Sequence, residues 1–159
     1  MSQSTLRTFI NGAVLLIVSM SLISCAGKRP SNLGISSSGL AVCPSSPNCV
    51  SSDASDSVHA TPPFQLEVSA TEAWPQVQDA VSALPRVQIV KATDVYLHAE
   101  CKSSLFGFVD DLELQLRPTE GLIAIRSASR VGFSDLGVNR RRVERLRAAL
   151  VNRGIIKNQ

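Results

Sequence analysis

Three groups of residues in this chain have types and spacings suited to chemistry. Asp110, Asp111 and Glu113 fall within one short stretch, and clustered carboxylates serve general acid–base work when a histidine lies in reach. Only His59 and His98 are available for that. Asp110 and Asp111 with His59 or His98 would make a hydrolytic site, although neither histidine has sequence neighbours that complete a nucleophile–base–orienter set. The second group is Cys43-Pro-Ser-Ser-Pro-Asn-Cys49, a short loop stiffened by two prolines. Cys43 and Cys49 with His59, and with His98 as a further ligand, would form a metal site, but the spacing matches no standard zinc pattern. A disulfide is the simpler reading and contributes about 2 kcal/mol by loop entropy. The third group is basic: Arg126, Arg130, Arg140, Arg141 and Arg142. No phosphate loop, nucleophile elbow or metalloprotease motif accompanies them, and no cofactor is expected.

The elements that position these residues follow from periodicity. Phe64–Val68 alternates like a strand. Ser69-Ala70-Thr71-Glu72 is a capping-box pattern, after which Trp74, Val77, Val81 and Leu84 recur at helical spacing. Pro75, early but past the first helical position, leaves Thr71 as an alternative start, and Pro85 ends the helix. Three strand-like runs follow: Val87–Lys91 into Asp94–Cys101, Leu105–Arg117, and Leu122–Ser129. A second helix is expected from Asn139 to Arg153, with Val143, Leu146 and Leu150 on one face and Gly154 as its stop. The order β-α-β-β-β-α predicts an α+β fold, an antiparallel sheet of about four strands with two helices packed on one face.

Register follows from the turn. If Pro118-Thr119-Glu120-Gly121 closes a hairpin, Leu114 faces Ile125 and Leu116 faces Ile123. Glu113 then faces Arg126 on the other side, with Asp111 diagonal to Arg126 and Arg130; a one-residue slip would destroy both patterns. Alternation puts Asp110 with Phe106, Phe108 and Leu112 on the apolar side, where an ionised carboxylate needs a partner. That partner is either the Ser127–Ser134 segment or an arginine from the second helix. The same alternation puts Cys101 inside as a buried thiol, and His98 outward with Tyr96 and Glu100 on a solvated face. Arg140, Arg141 and Arg142 in a first helical turn each oppose the helix dipole by about 0.3–1 kcal/mol. They must pair with Asp110, Asp111, Glu113 or Asp135, or hold an anion. The Asp110–Glu113 strand and the Arg126–Arg142 loop, with Asp135 and Asn139, form the expected binding edge or ion-pair network.

The beginning of the chain is a leader. Arg7 precedes the apolar run Ala13–Ile23, which as a helix would rise about 16 Å, half a bilayer's hydrocarbon thickness and the length of a signal-peptide core. Leu22-Ile23-Ser24-Cys25 resembles the lipobox of bacterial lipoproteins. That resemblance implies cleavage of residues 1–24, lipidation of Cys25 and stable membrane anchoring. Ala26, in place of Asp, implies the outer membrane, facing the periplasm. Residues 25–42 read as a Ser- and Gly-rich flexible tether spanning about 20 Å, and residues 43–159 as one domain. The oxidising envelope favours the Cys43–Cys49 disulfide.

The chain carries a net charge of +3 over 159 residues. Without Arg7 it has fifteen basic against thirteen acidic residues, interleaved, and its aromatic content is 4%. Neither a phosphate-binding block nor a base-stacking platform is present, which sets nucleic acid aside.

Phe108-Val109-Asp110-Asp111-Leu112-Glu113, the stretch from Arg126 through Gly132-Phe133-Ser134-Asp135-Leu136-Gly137 to Glu144, and Cys43–Ser52 resemble a family catalogued as domain of unknown function 1499. The resemblance spans nearly the whole domain, and it implies no activity. The leading expectation is an envelope lipoprotein whose domain binds a partner or small ligand without catalysis. The alternatives are the hydrolase, and a carrier with an apolar cavity between sheet and helices, behind Phe106, Phe108 and Trp74.

Overall fold

A computed structural model describes residues 27–104 and 107–158. The expected leader, Cys25 and Phe106 lie outside the described residues. The elements in chain order are β1 (Cys49–Ser51), β2 (Phe64–Gln65), α1 (Ala70–Ser82), β3 (Val87–Ala92), β4 (Tyr96–Lys102), β5 (Val109–Arg117), a 3-10 turn (Pro118–Glu120), β6 (Leu122–Ser129) and α2 (Val138–Asn152). They form one six-stranded antiparallel sheet in the order β1-β6-β5-β4-β3, with β2 also paired to β6. The α+β class stands, but the count of about four strands is corrected to six. β1 has three residues and β2 two, too few for alternation to register. The run from Val87 to Cys101 is a hairpin of two strands, turned at Thr93, whose hydroxyl accepts the Val95 and Tyr96 N–H groups.

The central hairpin has the expected register. Leu114 pairs with Ile125, Leu116 with Ile123 and Glu113 with Arg126. Gly121 closes the turn at φ +65, a left-handed position suited to glycine. The first helix begins at Ala70, and Ser69 caps it by accepting the Glu72 N–H; Pro75 is accommodated within it. Both helices lie on one face of the sheet. Trp74, Val77 and Val81 of α1 and Val143, Leu146 and Leu150 of α2 share a core with Leu97, Leu112, Leu114, Ile123 and Ile125.

The opposite face is the larger correction. The segment 27–42, expected as flexible coil, lies across it. Leu40 is buried against Tyr96 and Ala124, its N–H donates to Asp53, and the Gly34 N–H donates to Glu113 Oε1 at 2.8 Å. Tyr96 and His98, expected on a solvated face, are therefore buried. Alternation assigned their side of the sheet correctly but carries no information about what covers that side. Among the described residues no helix is long and apolar enough to cross a membrane.

Candidate functional site

Two polar assemblies occupy opposite faces of the sheet. Beneath the 27–42 segment, Glu113 is fully buried and Arg126 is 5% exposed. Arg126 Nη1 donates to Glu113 Oε2 at 3.0 Å, and the Tyr96 hydroxyl donates to Oε1 at 2.7 Å. Arg126 Nε, also buried, has no hydrogen-bond acceptor among the described residues. One step along the sheet, Arg130 binds Asp111 through two nitrogens at 2.6 and 2.8 Å, and His98 Nε2 donates to Asp111 at 2.7 Å. Arg130 continues to Glu100, which also receives Arg29.

Burial works to raise the Asp111 carboxyl, but hydrogen bonds from Arg130 and His98 outweigh it and hold the group below the usual carboxylate range. Glu100 follows the same pattern with Arg130 and Arg29. Burial, with Glu113 adding to it, pushes the Tyr96 phenol well up. The expected ladder is present in register. It is an interior network, which corrects the placement of Asp111 and Glu113 on a binding edge.

Asp110 projects from the other face, among the apolar residues, as alternation required. Its partner is the arginine from the second helix: Arg142 Nη2 donates to Asp110 Oδ2 at 2.6 Å. Arg142 Nη1 also donates to Ser127 Oγ at 2.8 Å and to Asn139 Oδ1. Asn139, fully buried, donates to the Asn48 carbonyl at 3.0 Å and to Ser129 Oγ at 2.9 Å. Asp135 accepts the Gly137 and Asn139 N–H groups at 2.9 and 2.7 Å, securing the start of α2. The other two arginines bind carbonyls in place of the expected carboxylates: Arg140 binds Ala60 and Val58, and Arg141 binds Leu136.

Cys43 and Cys49 form the disulfide. It leaves no thiolate there for the metal alternative, and among the described residues no group of three or more His, Cys, Asp or Glu side chains could hold a metal. The disulfide loop carries Asn48, which donates to the Gly132 carbonyl at 2.6 Å and whose own carbonyl accepts the Ser129 N–H and Asn139. Asn48 ties the loop 130–137 to the sheet, and reading the loop only for its cysteines misses it. Cys101 is the buried free thiol expected, raised by burial to about 11.

The residues of the hydrolase alternative do not converge. Asp110 and Asp111 face opposite ways, His98 serves Asp111, and His59 binds Asp56 at 2.8 Å and the Ser46 carbonyl. Nor does the apolar cavity lie behind Trp74, which is packed in the core with its indole N–H donating to the Thr93 carbonyl. An open cleft of about 450 Å³ sits instead at the end of the sheet, with Phe108, Val131, Leu136 and Val138 in its walls and Asp110 beside them. Phe108, expected in the core, is 39% exposed there, one residue before β5 begins. Leu136 is 83% exposed and held at φ +52, a conformation costing a non-glycine residue on the order of 1–3 kcal/mol.

Comparison with curated proteins and with solved structures finds no match. Residues 39–150, from the strap over the outer face to the last turns of α2, match the family described as Protein of unknown function (DUF1499), and the chain belongs to that family.

Proposed function

We propose that this chain is the precursor of a bacterial envelope lipoprotein, cleaved before Cys25 and anchored there by lipid, with a domain that works at the membrane surface. That work is binding a small ligand with an apolar part in the cleft between Phe108 and the 130–138 loop. One observation carries the reading: exposed apolar side chains, one on a strained backbone, border a cleft whose frame is locked by Asp110–Arg142, Asn139 and Asn48. A surface with only a solvation role has no need of this combination. The outer membrane, facing the periplasm, is the proposed location.

The anchor is tested by metabolic labelling with a fatty acid in the native host. The wild-type chain is expected to take up label and sediment with membranes; Cys25→Ser should do neither, and label on the Cys25→Ser protein contradicts the anchor. The cleft is tested with cis-parinaric acid and the soluble chain from Gly27 onward. Leu136→Asp should weaken binding at least tenfold while leaving unfolding stability within about 0.5 kcal/mol, because the side chain is exposed and Asp tolerates the left-handed conformation. Unchanged affinity would sink the cleft assignment.

A further inference from the structure

A second cleft, of about 250 Å³, opens between the end of α1, the β3–β4 hairpin and α2. Arg86, Lys102, Arg141 and Arg145 are in its walls, and among the described residues no carboxylate is. Arg142 also reaches this wall, but its charge is met by Asp110. A hollow lined by several cations without a counter-charge suits an anion. It adjoins the apolar cleft, since Ser103, Ser104 and Val138 belong to the walls of both. Among the described residues, only Arg86 and Leu136 are non-glycine residues at positive φ, and one lines each cleft. Backbone strain of this kind clusters where ligands are held.

The chain's entry point says where the ligand comes from. Gly27 packs against the rim of the apolar cleft so closely that a Cβ there would lie 2.8 Å from Arg130 Cβ and 2.9 Å from Val131 Cγ1. Cys25 is two residues earlier, within about 7 Å of Gly27 by covalent reach alone. Lipid on Cys25, as proposed above, would hold this rim at the bilayer.

Resting on the binding and anchor reading above, and naming its ligand, we propose that the paired clefts bind an anionic phospholipid of the host membrane. Its phosphate-bearing headgroup sits among Arg86, Lys102, Arg141 and Arg145. One acyl chain lies against Phe108, Val131, Leu136 and Val138. Anionic headgroups are drawn to clustered basic side chains near a membrane surface, and the adjoining apolar walls take the chain.

The test uses the mature protein purified from membranes, carrying Phe108→Trp as a reporter, in phosphatidylcholine vesicles with one-fifth phosphatidylglycerol. Bromine is placed on the acyl chains of either lipid at equal mole fraction, and the signal of the buried Trp74 is subtracted using the protein without the reporter. Brominated phosphatidylglycerol is expected to quench the reporter at least twofold more than brominated phosphatidylcholine, and Arg141→Gln with Arg145→Gln should abolish the preference. Equal quenching by both lipids overturns the anionic-lipid assignment while the apolar cleft stands. No quenching by either overturns both.

Discussion

Arg126→Gln is expected to lower unfolding stability by about 3–5 kcal/mol, the range for breaking a buried ion pair by removing one partner. Glu113 is fully buried and would keep the Tyr96 hydroxyl and the Gly34 N–H but lose its counter-charge. An exposed cross-strand pair would contribute only about 0.2–1 kcal/mol, so the measurement separates the two situations. Replacing both partners with apolar residues of similar volume, Glu113→Leu with Arg126→Met, should recover much of the loss. Urea unfolding of the single and double variants reads this directly. A loss below about 1 kcal/mol for Arg126→Gln would mean that the 27–42 segment does not cover this face in solution.

Arg142→Gln should cost a similar amount, about 3–5 kcal/mol, because it strands Asp110 among apolar neighbours. Asp110→Asn should cost less, about 1.5–3 kcal/mol, since the shape and one acceptor remain and Arg142 keeps Ser127 and Asn139. Together the two should fall short of additivity by about 1–3 kcal/mol. Asp110→Asn combined with Arg126→Gln should be additive within about 0.5 kcal/mol, because the two residues lie on opposite faces of the sheet and share no partner. Coupling between Asp110 and Arg126 would contradict that separation.

Much of this arrangement was legible in the residues. The hairpin register came from the turn at Pro118–Gly121 and the alternation on either side of it, and it placed Glu113 opposite Arg126 without error. The burial of Asp110 followed from the same alternation, and the cost of an unpaired carboxylate called for a partner; an arginine of the second helix was one of the two candidates, and the other was the Ser127–Ser134 segment. What alternation cannot show is whether a face is covered by chain that has no periodicity of its own. The 27–42 segment looks like a linker because glycines and serines dominate it, yet Leu40 and the Gly34 N–H find partners on the sheet, and Tyr96, His98, Asp111 and Glu113 become interior residues as a result. The cleft was also illegible. It depends on Phe108 falling outside the strand, on Leu136 taking a left-handed backbone and on Asn48 reaching Gly132 across the fold. The first two carry no periodicity or composition signal, and the third joins residues far apart in sequence.

The proposed binding of a ligand in the cleft bordered by Phe108 and the 130–138 loop is read from amide and methyl shifts of the isotopically labelled chain from Gly27 onward, titrated with decanoate. Saturable shifts are expected to concentrate at Phe108, Val131, Leu136 and Val138, with Tyr96, His98 and Ala124 on the covered face unmoved. Shifts centred on that covered face, or none anywhere at saturating ligand, would contradict it.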